Sequence, residues 1–188
     1  MMIGAITMAM PAAADEKPAP ETEAYRAEAG KLAGELGNRL REQLTAAMQA
    51  GGPLAAVAVC QERAVPIADA ISNSNDGWEV GRTSLRVRNP DNAPDSWERS
   101  VLETFDRRQA AGETPATIEQ EAVITVGEQR YYRYMKAITT GDACVLCHGS
   151  NIPPELQEHI GKLYPDDRAT GYKAGDLRGA FTLTRRID

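Results

Sequence analysis

The sequence has few of the residues that usually build metal centres, because its 188 residues include only three cysteines and two histidines. Aromatic residues make up only 5% of the chain. No apolar run reaches the ~18 residues that a membrane-spanning helix needs, so we expect no transmembrane segment. A formal net charge of -6, without a basic cluster, argues against nucleic acid as a partner. The length suits one domain with its own hydrophobic core.

Two of the cysteines and one histidine nevertheless fall within five residues. The segment Cys144-Val145-Leu146-Cys147-His148 has the pattern C-x-x-C-H, which is the attachment motif of c-type haem. In that chemistry the two thiols form thioethers with the vinyl groups of one porphyrin, and the adjacent histidine is the proximal iron ligand. The motif therefore predicts one covalently attached haem c, held by Cys144, Cys147 and His148.

Two other kinds of site use a C-x-x-C pair. A thioredoxin-like redox pair belongs at a helix start early in a βαβ pattern, whereas this pair lies near the end of the chain and no βαβ pattern precedes it. A structural zinc site could combine Cys60, Cys144 and Cys147 with either His148 or His159, but zinc ribbons usually offer a second close pair of ligands. Both alternatives match the sequence less well than haem does.

The first 23 residues differ in composition from the rest of the chain. Residues 1–14 are mostly small and apolar, and Ala12 and Ala14 fit the small-x-small rule for signal-peptidase cleavage after Ala14, although no Lys or Arg precedes the apolar part. Residues 15–23 are rich in Pro, Glu and Lys, which is typical of a flexible tether. We expect a signal peptide at 1–14, a tether at 15–23, a single domain at 24–188 and a periplasmic location.

The first half of the domain is predicted to be helical. Leucines recur every four residues from Leu32 to Leu44, which predicts an amphipathic helix over residues 21–50 that ends at Gly51-Gly52-Pro53. This helix could pack on its own domain or form a homodimer with a second copy. A second helix is predicted over residues 53–72, with a kink after Cys60 because Pro66 lacks an N–H group.

Cys60 lies on the apolar stripe of that second helix, between Val57 and Ala64, so we expect its side chain to point into the core. A small buried hydrophobic role is the simplest interpretation. If Cys144 and Cys147 are thioethers, however, Cys60 is the one remaining thiol of an exported protein. A thiolate is a recognised axial ligand of haem iron, so Cys60 is a candidate sixth ligand.

The rest of the chain alternates strands with shorter helices. We predict a strand over 78–89, followed by a helix that is capped by Asp95 or Ser96 and ends near Gly112. A hairpin of 122–126 and 130–139 follows, with its turn at Gly127 and Glu128. The last predicted elements are a helix over 154–163 and a strand over 178–184. Helices mixed with antiparallel strands predict an α+β fold.

Several segments resemble one known family. They are Gly81-Arg82-Thr83-Ser84-Leu85-Arg86, Arg88-Asn89-Pro90, Tyr134-Met135-Lys136-Ala137-Ile138, the haem motif itself, Tyr164-Pro165 and Gly175-Asp176-Leu177-Arg178-Gly179-Ala180-Phe181. They are similar to the haem-c-binding, PAS-like sensor family of bacterial periplasmic domains, formerly a domain of unknown function, which includes a small cyanobacterial cytochrome with cysteine and histidine as axial ligands. The resemblance implies a PAS-like antiparallel sheet flanked by helices, and it implies that the family's axial cysteine corresponds to Cys60.

Other side chains are weaker candidates for the haem site. Met135 is a rival axial ligand that would favour a high-potential electron carrier, and His159 is a second rival that lies only 11 residues after His148. Arg82, Arg86 and Lys136 could neutralise haem propionates.

Three classes of function follow from these expectations. We expect redox or small-ligand sensing by a monohaem protein with His148 and Cys60 as axial ligands, acting on a redox or signalling partner. Periplasmic electron transfer is the main alternative. Haem catalysis is disfavoured, because it needs an open iron site with a distal acid–base residue and the chain has few histidines. We therefore predict that the protein is not an enzyme.

Overall fold

The computed structural model describes residues 20–187. The predicted signal peptide and residues 15–19 of the predicted tether lie outside the described residues. The helices and strands follow in the order α1 (Pro20–Glu62), α2 (Ala64–Ser74), β1 (Trp78–Thr83), α3 (Ser96–Ala110), β2 (Glu119–Val126), β3 (Gln129–Thr139), α4 (Val145–His148), α5 (Pro154–Leu163) and β4 (Leu177–Ile187). Within residues 20–187 no helix is both long and apolar enough to cross a membrane.

The four strands form one antiparallel sheet in the order β1-β4-β3-β2. Strands β2 and β3 make the predicted hairpin, with Gly127 and Glu128 between them and Gly127 at a φ of 63°. Glycine adopts that conformation without strain, which explains the turn. The predicted α+β class, with an antiparallel sheet, flanking helices and a long N-terminal helix, is confirmed.

Each face of the sheet is covered by helices. On one face α1 and α2 pack against Tyr132, Tyr134 and Leu183, so the leucine row of α1 is buried within its own domain at Leu32 and Leu36. On the other face α3 packs against a second cluster that contains Met135, Ala137 and Ala180. The alternation of Tyr132 and Tyr134 with Met135 and Ala137 follows from the two-residue period of a strand.

The helix α3 begins where the sequence predicts. The side chain of Asp95 accepts a hydrogen bond from the backbone N–H of Glu98, and the carboxylate of Glu98 accepts one from the N–H of Asp95. This capping box satisfies backbone donors that have no partner inside the helix.

The predicted second helix is broken, and the prediction for Cys60 is wrong. Gly51 and Gly52 have non-helical dihedral angles inside α1, as expected, and the kink predicted after Cys60 is found as the break at Arg63 that separates α1 from α2. Pro66 lies in the first turn of α2, where its missing N–H costs nothing. Cys60 lies in the same helical stretch as Val57, before the break, yet it does not continue the buried stripe. The residue is exposed, whereas Val57 is 3% exposed.

The predicted strand over 78–89 is also too long, since β1 ends at Thr83. Ser84 Oγ hydrogen bonds with the carbonyl oxygens of Arg86 and Arg178 and accepts from the Arg86 N–H, so the chain turns away from the sheet. Gly179 lies opposite this point with a φ of 153°, and a Cβ atom there would clash with the Thr83 carbonyl oxygen.

We predict that Gly179→Ala lowers the free energy of unfolding by about 2 kcal/mol or more, because it adds a backbone clash to a strained conformation. Gly34→Ala is the matched control. Gly34 lies in α1, and a Cβ atom added to it would have no neighbour within 4 Å, so this substitution should raise stability by about 0.5–1 kcal/mol. Urea unfolding of both variants measures the effects, and equal midpoints for Gly179→Ala and the wild type would contradict the close packing at Thr83.

Candidate functional site

The C-x-x-C-H motif lies between the end of β3 and α5. A 3-10 turn over Asp142–Cys144 leads into the single turn of α4. Leu146 and Cys147 pack against a cluster that includes Val57 of α1 and Leu156 of α5. All three cysteines are free thiols, and both motif cysteines are half-buried. The fold therefore holds the motif against the rest of the domain and leaves its thiols unoccupied by disulfides.

His148 is fixed in one orientation by a backbone group. Its Nδ1 lies 2.7 Å from the carbonyl oxygen of Ala169. A carbonyl oxygen can only accept, so Nδ1 carries the proton and Nε2 presents its lone pair. Burial lowers the pKa of the imidazole, and the positive charges of Arg178, Arg88 and Arg82 lower it further, to about 3. His148 is therefore neutral at physiological pH, which is the form that binds a metal ion.

The segment that holds His148 runs beside the motif. The N–H of Tyr172 donates to the His148 carbonyl and the N–H of Gly171 donates to the Gly149 carbonyl, each at 2.9 Å. Arg86 stacks over the Tyr172 ring with its guanidinium carbon 4.3 Å from the ring centroid. Residues 169–172 thus form a support along one side of the motif.

Cys60 belongs to the same electrostatic environment as His148. Desolvation by the surrounding protein raises the pKa of its thiol even though the residue is accessible to solvent, while Arg82, Arg88 and Arg178 lower that pKa. These are the three arginines that act on His148. The free thiol is protonated at neutral pH because the upward shift prevails. The sequence prediction was wrong about the burial of this residue, but the structure brings it near the charges that surround the motif.

Two of these arginines have no counter-ion. Within residues 20–187, neither Arg82 nor Arg178 forms an ion pair with a carboxylate, and burial lowers the pKa of both. Arg178 donates from Nη1 to Ser84 Oγ at 3.2 Å, but its buried Nε has no hydrogen-bond partner. A half-buried cation without an ion-pair partner is unfavourable, so the site suits an anionic group.

The remaining candidates lie elsewhere. Lys136 is 3.7 Å from a carboxylate oxygen of Glu119 on β2. Met135 is fully buried between the sheet and α3. His159 is half-buried on α5, and its buried Nε2 has no hydrogen-bond partner among the described residues.

The zinc alternative is not supported by the positions of the side chains. In the part of the chain that the structure describes, no three His, Cys, Asp or Glu side chains lie close enough together to hold a metal ion. The zinc set inferred from the sequence needs four such ligands.

Sequence reasoning missed the roles of Arg178, Arg88 and Ala169. Both arginines stand in the segments that carry the family resemblance, but nothing in their local pattern distinguished them from solvent-exposed strand residues. Ala169 acts through its backbone carbonyl, so its side chain gives no signal.

Comparison with known proteins gives a family for this chain. A model of the Tll0287-like family matches residues 13–185. No curated protein matches. The crystal structure of the cyanobacterial haem protein Tll0287 has a similar fold, with a TM-score of 0.57 and 23% sequence identity over 89% of this chain and 96% of that one. The resemblance inferred from the sequence motifs is thereby confirmed, and the chain belongs to the Tll0287-like family.

Proposed function

We propose that this protein binds one haem c covalently through Cys144 and Cys147, with His148 and Cys60 as axial ligands of the iron. The observation that carries the proposal is the orientation of His148, whose Nδ1 donates to Ala169 and whose Nε2 lone pair is free. This is the arrangement that metal-ligating histidines adopt. Family membership supports the proposal, because Tll0287 itself is described as a haem protein.

The other groups at the site fit the same cofactor. Haem carries two propionates, and Arg82 and Arg178 are two half-buried cations without carboxylate partners among the described residues. We assign the propionates to this pair, and we leave out Arg86 because it is exposed and Lys136 because its ammonium group lies 3.7 Å from Glu119. Cys144 and Cys147 are free for thioether bonds.

Cys60 gives the proposed site its particular character. The exposed thiol lies two residues before the end of α1 and shares its charged neighbours with His148. A coordinating thiol is deprotonated by the metal, and an anionic sulfur ligand favours Fe(III) over Fe(II). Haem supplies an iron that changes oxidation state and can accept a small ligand when a coordination position opens.

We propose redox or small-ligand sensing in the periplasm, through a redox or signalling partner. The support for sensing is the position of Cys60 near the junction of α1 and α2 at Arg63, where Pro66 has no N–H to donate and the backbone bonds from Arg63 to Val59 and from Ile67 to Arg63 still join the two helices. Such a junction can move when a bond at Cys60 is made or lost. Plain electron transfer needs no such movement.

We predict that Cys60→Ala changes the absorption spectrum of the oxidised haem protein from that of a sulfur-ligated ferric iron to that of a different ligand set. The matched control is Gln61→Ala, an exposed neighbour on the same helix end, which should leave the spectrum unchanged. An oxidised spectrum that is the same for Cys60→Ala and the wild type rules out Cys60 as a ligand.

Sensing further predicts that reduction weakens the iron–sulfur bond and lets carbon monoxide bind. Difference spectra of the reduced protein with and without carbon monoxide measure this. A reduced protein that stays six-coordinate and binds no carbon monoxide would favour electron transfer over sensing.

The propionate assignment predicts that Arg82→Gln and Arg178→Gln each lower the midpoint potential, because removal of a nearby positive charge stabilises Fe(III). We expect shifts of the midpoint potential on the order of 30–60 mV, where ~59 mV corresponds to a tenfold change in the equilibrium constant of a one-electron reduction. Arg86→Gln is the control, since Arg86 is exposed and its Nε donates to the carbonyl oxygen of Arg168. Potentiometric titrations that give the same shift for all three variants would count against the assignment.

A further inference from the structure

A buried ion pair joins two loops next to the candidate site. Arg88 follows β1, Asp167 follows α5, and their side chains are only 10% and 11% exposed. Both Nε and Nη2 of Arg88 lie near the same carboxylate oxygen, Oδ2 of Asp167, at 3.1 and 3.0 Å. A buried ion pair contributes little net stability compared with well-packed apolar residues, so its location points to a specific role.

Each member of this pair makes a second hydrogen bond toward the haem motif. Nη2 of Arg88 donates to the carbonyl oxygen of Cys147 at 2.5 Å. Oδ1 of Asp167 accepts from the N–H of Ala169 at 2.8 Å. The carbonyl oxygen of Ala169 in turn accepts from Nδ1 of His148 at 2.7 Å.

The contacts form one continuous path from the motif backbone to the ring of its histidine. The path begins at the carbonyl of Cys147, crosses the ion pair and ends at the His148 imidazole. One end of the path is thus the peptide group between Cys147 and His148, and the other end is the side chain of His148 itself. The ion pair therefore fixes the backbone before the histidine and the acceptor of its ring at the same time.

We infer that Arg88 and Asp167 are a positioning pair for His148, and that they set the orientation of its imidazole and the strength of its Nδ1–H hydrogen bond. This inference rests on the proposed function, because it treats His148 as the iron ligand. Neither residue is assigned a contact with the iron. Outer partners of a ligating histidine fix its ring and raise its basicity, and their loss typically changes metal affinity or activity by 10- to 100-fold.

The supporting segment does not depend on the ion pair alone. The backbone bonds from Gly171 to Gly149 and from Tyr172 to His148 do not involve the pair, and neither does the bond from the Arg168 N–H to the Val87 carbonyl. Loss of the ion pair should therefore loosen the Ala169 acceptor without unfolding the segment, so variants of the pair can be purified and measured.

The test compares Arg88→Lys and Asp167→Asn in the haem-loaded protein. Arg88→Lys keeps the charge but cannot reproduce the forked contacts with Asp167 and Cys147. Asp167→Asn keeps the shape but removes the charge. The measurements are the g values of the oxidised iron by electron paramagnetic resonance and the midpoint potential.

The control is a second buried ion pair outside the site. Nη2 of Arg133 lies 3.1 Å from Glu98, both side chains are 10% exposed, and the pair joins β3 to α3. Arg133→Lys should lower the melting temperature and leave the g values and the potential unchanged.

We expect both Arg88→Lys and Asp167→Asn to change the g values and to favour reduction by about tenfold, or ~59 mV, because a weaker Nδ1–H bond makes the imidazole a poorer donor. If the two variants only lose thermal stability, as Arg133→Lys does, the pair is structural and the inference is wrong. If the midpoint potential shifts in Asp167→Asn but not in Arg88→Lys, the lost charge alone explains the shift, and the inference is also wrong. Absence of bound haem in the wild type would refute the proposed function itself.

Discussion

The hydrogen bond from His148 to the Ala169 carbonyl determines what the site can do. It selects the tautomer of the imidazole and leaves one nitrogen lone pair for a metal ion. The bond joins segments that are distant along the chain, since the motif follows β3 whereas residues 169–172 precede β4. Strands β3 and β4 are hydrogen-bonded neighbours, so the sheet itself brings the two segments together.

Charge is the second constraint, and it acts in two directions. Burial keeps His148 neutral, because it lowers the pKa of the imidazole, and the positive charges of Arg178, Arg88 and Arg82 lower that pKa further. In the proposed haem site the same arginines would favour Fe(II), while a thiolate from Cys60 would favour Fe(III). The proposed site thus places opposing influences on one iron, and a small movement of Cys60 would shift the balance between the two oxidation states.

The sequence predicted the local features of this structure well. The C-x-x-C-H motif, the helix start at Asp95 and the hairpin turn at Gly127 each depend on residues a few positions apart. The prediction failed for Cys60, because an apolar stripe indicates which side chains share a helix face and not whether the tertiary fold covers each of them. It also missed the pairing of Arg88 with Asp167, 79 residues away, and the backbone carbonyl of Ala169. Contacts that only the tertiary fold creates leave no local pattern to recognise.

The most direct test of the central claim is X-ray absorption at the iron edge of the oxidised, purified protein, which reports the atoms bound to the metal. We predict an iron with one sulfur ligand and nitrogen in all its other positions, four from the porphyrin and one from His148. A protein that contains no iron, or an iron without sulfur among its ligands, would contradict the pairing of His148 with Cys60.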